Sequence, residues 1–366
     1  MSNDAHMQIA EAVDRGLQGA PKVDGQISAS FIEFIKLIYT PEEAEIVQHL
    51  EIFPHVKTTA EVAGASGRDI EEVTEILDGV HAKYGLMGSG DTHCLPTVFY
   101  ILNFHHRYAE VKPGDLEAAE HYQQFFVREK FYQDFETSRK GTPLFRTIPV
   151  GRTIAPDQQV LGSEEALSRI EGLGTDFIAL VPCPCRTRTE KLGVRECKDK
   201  FPIGCCIIPG VNGEKFVALC MGKQVSKVQA KDYLEEMLDL GLVPNTDNYT
   251  SPDPFVICLC CGCCCSMTRG RTRWDNPESI LPSNFIPVAD DDCAMCGTCV
   301  DRCFFSALSL DHEADRAVVD PNACIGCGVC AAGCPTGALK LQRYERSQSF
   351  ETVFDFAMQI RADNAS

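Results

Sequence analysis

Two cysteine runs near the C-terminus carry the clearest chemistry in this chain of 366 residues. The first is Cys293-Ala-Met-Cys296-Gly-Thr-Cys299-Val-Asp-Arg-Cys303, and the second is Cys324-Ile-Gly-Cys327-Gly-Val-Cys330-Ala-Ala-Gly-Cys334-Pro335. A tight loop with this spacing wraps its first three thiolates around one cubane [4Fe–4S] core, while its fourth thiolate reaches the core held by the other run. The spacing therefore predicts one cluster on Cys293, Cys296, Cys299 and Cys334. It predicts a second on Cys324, Cys327, Cys330 and Cys303. Gly297, Gly326 and Gly328 allow the backbone to approach the sulfides closely. A pair of zinc knuckles is the competing reading, and two four-thiol runs at matched spacing argue against it. Ala307-Leu308-Ser-Leu310 and Ala338-Leu339-Lys-Leu341 follow the two runs as matching β segments, so the two halves form an internal repeat.

On these motifs, residues 286–342 resemble the bacterial dicluster ferredoxins. The resemblance implies a ferredoxin fold with two [4Fe–4S] clusters and an electron-transfer role. One departure is visible. Phe304 stands where the family carries a proline after the fourth cysteine, and because proline supplies no ligand, cluster binding is not in question.

Twelve further thiols lie upstream: Cys183, Cys185, Cys197, Cys205, Cys206, Cys220, Cys258, Cys260, Cys261, Cys263, Cys264 and Cys265. All are candidate metal ligands. Their arrangement, a C-x-C-R segment, middle cysteines and a C-C-G-C-C-C run, resembles a group of anaerobe iron–sulfur proteins over about 145–342. That resemblance implies redox work without naming a reaction. Twelve thiols exceed the needs of one cubane, so the reading is at least one further Fe–S site, with zinc or packed free thiols as alternatives. Adjacent cysteines on a strand face opposite ways, so they cannot all meet one metal unless their run is a loop. Arg186 and Arg188 flank the C-x-C pair and either offset cluster charge, grip an anion or sit in solvent. His105, His106 and His121 read as packed rather than ligating, and Cys94 beside His93 reads as a small buried residue.

The elements that must position these thiols form an α+β multidomain chain. Residues 1–27 read as a loosely held leader. Residues 28–97 read as a winged-helix-like domain: a helix with Phe31, Phe34, Ile35 and Ile38 inward, and a helix capped by Thr40-Pro41-Glu42-Glu43 and running to about Glu51. A short helix from Thr59 broken by Gly64–Gly67 and a third with Ile70, Val73, Ile76, Leu77 and Val80 inward come next. A hairpin turning at Gly88–Asp91 completes it. Residues 98–160 read as a helical, aromatic-rich connector packed through Tyr122, Phe125, Phe126, Phe131, Tyr132 and Phe135. Residues 161–285 read as a Cys-rich α/β domain, 286–342 as the ferredoxin domain and 343–366 as a tail. In the α/β domain, apolar runs at Phe177–Val181, Phe216–Leu219 and Phe255–Ile257 read as strands ending in cysteine, with a helix at Ala230–Leu240. A sheet of this kind brings its thiols together at one edge.

Composition narrows the function. Only Cys94 precedes residue 183, and twenty-one thiols suit ligation better than disulfides in a reducing compartment. No run approaches the length needed to cross a bilayer, and the start lacks a signal peptide, so a cytoplasmic protein without membrane insertion is expected. A formal charge of -18 disfavours nucleic acid. The candidate recognition helix, Arg68 to Lys83, carries Asp69, Glu71, Glu72, Glu75 and Asp78, which argues for a docking or oligomerisation module instead of a DNA reader. The combined reading is an iron–sulfur electron-transfer protein serving an anaerobic redox system, docking a partner with a basic surface. Two alternatives stand beside it: an oxidoreductase with a catalytic cluster in the middle domain, and a redox-responsive winged-helix regulator.

Overall fold

The computed structural model describes residues 4–102, 114–274, 276–346 and 348–364. His105 and His106 lie outside them. The chain divides into two compact units, Met1–Phe135 with Thr187–Val194, and Glu136–Arg186 with Arg195–Ser366. The connector expected over 98–160 is thus shared between the two.

The first unit is built on helices whose starts are written in the sequence. Ser28 caps Ala29–Ile38, which buries Phe31, Phe34, Ile35 and Ile38. Thr40 and Glu43 close a capping box on Pro41–Val47, which ends short of Glu51. Thr58 and Glu61 do the same for Thr59–Ser66, which runs through Gly64 and stops at Gly67. Asp69 caps Ile70–Ala82, where Val73, Leu77 and Val80 are buried but Ile70 is exposed. The hairpin pairs Met87–Ser89 with Thr92–Cys94, so it turns at Gly90–Asp91. Lys57–Thr58 completes a three-stranded sheet with Thr92–Cys94 at its centre. The N-terminal residues are not loosely held. Helix Ala5–Asp14 buries Ile9, Ala10, Ala12 and Val13, and full burial of a side chain such as Ile9 or Val13 contributes about 1.5–3 kcal/mol. The expected aromatic packing is present: Phe125 meets Phe31 and Phe34 edge-on at 5.4 and 5.6 Å, and Phe126 stacks on Tyr122 at 4.7 Å. Segment 187–194 belongs here through a buried Lys191–Asp115 ion pair at 2.7 Å and the Arg188 guanidinium, 4.1 Å from the Tyr122 ring centre.

The second unit centres on a seven-stranded sheet. Its order is Ile280–Leu281, Phe145–Thr147, Val243–Asp247, Ile257–Cys260, Cys205–Pro209, Ile178–Pro182 and Lys223–Val225. The first pair is parallel and every other pair is antiparallel. Two of the expected strands are near their places. The third, Phe216–Leu219, is a correction: Phe216 is buried in helix Gly210–Ala218, and the strand preceding it is Cys205–Pro209. A four-residue apolar run is equally compatible with a strand and with one buried helix face. Helix Lys227–Leu240, capped by Ser226 and ending at Gly241, lays Ala230, Leu234, Met237 and Leu238 into the core with Ile178, Ile207 and Ile257.

The C-terminal module adds two ladders. Phe285–Ala289 pairs with Leu339–Arg343, and Leu308–Asp311 pairs with Arg316–Val319. Beyond it the chain is no free tail. Helix Val353–Asn364 ends with Asp363 accepting 2.6 Å hydrogen bonds from the hydroxyls of Ser138 and Thr142. Among the described residues, no helix is long and apolar enough to cross a membrane.

Candidate metal centres

Two cavities in the C-terminal module are each lined by four cysteines. One is lined by Cys324, Cys327, Cys330 and Cys303. The other is lined by Cys293, Cys296, Cys299 and Cys334. In each, three thiols come from one run and the fourth from the other. The cause is local. Each run loops out of a strand, and its fourth cysteine follows the short helix Thr298–Asp301 or Val329–Ala332, which carries it across to the other half. Gly326, at φ 69°, cannot carry a side chain, since a Cβ there would stand 2.2 Å from the Phe285 carbonyl oxygen and the Ser283 hydroxyl.

Neither lining includes a carboxylate or an imidazole. Four soft thiolates in a largely apolar wall, with Arg302 in one lining and Thr298 and Thr336 in the other, fit an iron–sulfur cluster. The two sets differ in exposure. Burial pushes the Cys327 thiol up to about 12 and raises Cys330 well above its ordinary value. Cys296 is exposed, and the Thr298 hydroxyl 3.4 Å away draws its thiol below the usual range. Arg346 stands beside Cys324, held by the carbonyls of Ser283, Pro321 and Phe285 at 2.9, 2.9 and 3.1 Å. Nothing in the sequence singles it out, because its partners are brought to it only by the fold.

The upstream thiols gather at one end of the seven-stranded sheet, by a different route from the one expected. Ile178–Pro182 and Cys205–Pro209 run antiparallel with Pro182 opposite Cys205, and Ile257–Cys260 is antiparallel to the latter. The end of the first strand, the start of the second and the end of the third therefore share an edge. There the twelve thiols divide. Cys183 contacts Cys185 and Cys206; Cys206 lies 4.0 Å from Cys258; Cys258 contacts Cys260. Cys260 lies 3.2 Å from Cys265, and Cys265 contacts Cys185, which closes a ring of six.

A second set comprises Cys197, Cys261, Cys263 and Cys264, all with sulfurs mutually within 4.8 Å. Cys205 and Cys220 join neither. Cys205 faces away from Cys206 along their strand and offers its backbone to Tyr233, and Cys220 is exposed at the turn after helix Gly210–Ala218.

Alternation explains the partition. Cys258 and Cys260 share one face of their strand and both enter the ring. Residues 261–264 form a turn, which lets three successive thiols converge. Cys265 caps helix Ser266–Thr272 and returns to the ring.

Arg186, 1% exposed, lies between the two sets and donates to the carbonyls of Ile203 at 2.6 Å and Leu259 at 2.8 Å. Burial opposes its charge, but Cys183, Cys261, Cys260 and Cys206 outweigh burial and raise its pKa. Arg188 stacks on Tyr122. His121 lies 3.8 Å from Glu117, and Cys94 is fully buried beside His93, which hydrogen-bonds Thr59 at 2.9 Å and His81 at 2.8 Å.

A repeated loop-and-helix module with crossed four-thiol sets is a ferredoxin-type iron–sulfur domain. The 4Fe-4S dicluster domain matches residues 276–339, and through this segment the chain belongs to the family of ferredoxin-type dicluster proteins. That C-terminal module is of the iron–sulfur, electron-transfer class. Pyruvate synthase subunit PorD of Methanothermobacter marburgensis is 37% identical over 60 residues, which are 16% of this chain and 68% of that protein. The polyferredoxin-like subunit of the aliphatic sulfonate oxidoreductase of Pyrococcus furiosus is 30% identical over 89 residues, 23% of this chain and 51% of that protein. An archaeal-type glutamate synthase of Dehalococcoides mccartyi is 36% identical over 63 residues, 17% of this chain and 13% of that protein. The chain thus spans about an eighth of the glutamate synthases it matches. No solved structure matches the chain.

Proposed function

We propose that the chain is an electron-transfer protein with two [4Fe–4S] clusters in its C-terminal module and a further iron–sulfur centre on the six-thiol ring, serving a separate redox enzyme. The observation that carries this reading is the crossed division of eight cysteines into two four-thiol cavities. Cys293, Cys296, Cys299 and Cys334 would hold one cluster, and Cys324, Cys327, Cys330 and Cys303 the other. Bound clusters supply one-electron reduction and oxidation at potentials set by hydrogen bonding and exposure.

The protein's own residues supply the rest. Exposed Cys296 brings its set to the surface, where a partner can dock. The apolar lining of Val243, Ile325 and Val329 keeps water from the inner set, and Arg346 adds a fixed positive charge beside it. Six soft thiol donors suit a polynuclear centre better than one ion. The names of the relatives, one a subunit of a sulfonate oxidoreductase and one a subunit of a pyruvate synthase, support service to a partner enzyme.

The same ring favours a second reading. Six thiols exceed the four of a cubane, so a catalytic centre in an oxidoreductase is the alternative. The N-terminal order of helices, strand and hairpin supports a winged-helix arrangement. Its last helix exposes Glu71, Glu75 and Asp78, which suits docking or oligomerisation and opposes phosphate.

Anaerobic preparation should yield at least about eight irons per chain, with further iron on the ring that Cys258→Ala removes. Fewer than about six irons with abundant zinc would defeat the dicluster reading. Eight irons unchanged by Cys258→Ala would defeat the ring centre alone.

The docking face is acidic. Asp290, Asp291, Asp292 and Asp301 are exposed beside the outer set, and Glu313, Asp315 and Asp320 are exposed between the runs. Arg316 pairs with Asp291 at 3.0 Å, whereas Arg302 is turned inward to the carbonyls of Val329 and Asp239. Reversing Asp290, Asp291 and Asp292 to lysine should slow electron transfer to a basic partner several-fold at low salt. The difference should shrink as the screening length falls to about 8 Å. Rates flat with salt and unchanged by the reversal would move docking to another surface.

A further inference from the structure

The thiols of Cys197, Cys261, Cys263 and Cys264 are spaced for one ion. A metal bonded to four thiolates at about 2.3 Å in a regular tetrahedron sets its sulfurs about 3.8 Å apart. Here Cys197 lies 3.9 Å from Cys261 and 3.7 Å from Cys264. Cys263 lies 3.8 Å from Cys261 and 3.5 Å from Cys264. A cubane seats each thiolate on a different iron, so its ligands stand farther apart. The molecule contains its own reference. Among the described residues, all four of these sulfurs lie mutually within 4.8 Å, and no three of either dicluster set or of the ring do.

We propose that Cys197, Cys261, Cys263 and Cys264 hold a single tetrahedral metal ion, zinc or mononuclear iron, that ties segment 195–201 to the turn 261–264. The assignment is independent of the ring and of the dicluster module. The set is closed, with four protein ligands and no histidine or carboxylate, which is the composition of a structural site. Cys197, Cys261 and Cys264 are part of the hydrophobic core, so the shell excludes solvent. Four thiolates on a divalent ion are anionic overall, and positive charge lies close by. Arg186 faces Cys261, and Arg273, paired with Glu196, faces Cys263 and Cys264.

The tie has a consequence for the neighbouring module. Phe201, just after Cys197, meets Phe304 edge-on at 6.0 Å. A Cβ on Gly262, inside the turn, would stand 2.8 Å from the Phe304 Cβ. Phe304 follows the dicluster cysteine Cys303. The ion therefore fixes the surface on which that loop rests, and the residue that replaces the ferredoxin proline is the one that rests there.

X-ray absorption and metal analysis of the full chain, purified anaerobically, test the assignment without any variant. About one zinc per chain with four sulfurs near 2.3 Å and no metal neighbour is expected. With iron in its place, the oxidised protein shows a high-spin ferric signal of about one spin. Cys263→Ala, at a half-buried position, should lose that ion and keep the iron of the clusters, while Cys258→Ala should keep it. Loss of about four irons on Cys263→Ala, metal–metal scattering at the zinc, or neither ion beside the clusters would overturn the proposal.

Discussion

Replacing Cys303 with alanine should remove the cluster of the other run and spare the cluster of its own. The thiol of Cys303 lines the cavity of Cys324, Cys327 and Cys330, while Cys293, Cys296 and Cys299 face Cys334. The expected loss is about four irons per chain, with the paramagnetic signal of the inner, buried cluster. Cys334→Ala should do the reverse and remove the exposed set's signal. The two variants lose equal iron but different signals, which separates crossed ligation from general instability. Cys303→Ala also leaves the Ala307 amide without the sulfur it donates to at 3.4 Å, so some loosening of that turn accompanies the loss. Loss of the signal belonging to Cys293, Cys296 and Cys299 alone would contradict the crossed arrangement.

The second large effect should follow removal of Arg186. Its guanidinium is sealed between the ring and the four-thiol set, where bound thiolates leave negative charge with few other partners. Arg186→Met keeps the volume and deletes the charge. Removing one partner from a buried charged group commonly costs about 3–5 kcal/mol, because the remaining charge stays buried and uncompensated. It also frees the carbonyls of Ile203 and Leu259, which belong to segments far apart in the chain. Denaturation followed by both backbone and cluster signals should show the second unit destabilised by that amount in the metal-loaded protein. Arg186→Lys should fall between, since an ammonium retains the charge but cannot reach both carbonyls with a planar fork. A loss within about 0.5 kcal/mol, the size of an ordinary surface substitution, would show that the thiol charge is neutralised elsewhere.

The dicluster module was legible because its information is local. Three ligands of each set sit in one loop, and the repeat names the fourth. The β segments after each run are likewise where the sequence puts them. Helix starts were legible for the same reason: Thr40 with Glu43 and Ser28 with its apolar face act within one turn.

The upstream thiols were legible only as a group. Their type and number predict ligation, but their division into six, four and two depends on strand register. That register follows from which apolar runs become strands, and there Phe216–Leu219 misleads, because a short apolar run fits either a strand or the buried face of helix Gly210–Ala218. Antiparallel pairing then brings Cys183, Cys206 and Cys260 to one edge, and alternation turns Cys205 away from it. The roles of Arg186, Arg346 and Phe304 belong to the same level. Each acts through partners remote in the chain, Leu259, Ser283 and Phe201 respectively, and residues so far apart meet only when the whole unit has folded. The sequence by itself thus determined a ferredoxin-type iron–sulfur module and the eight thiols that line its two cavities. Tertiary packing alone decided how the other twelve are shared, because no local spacing encodes a contact between strands.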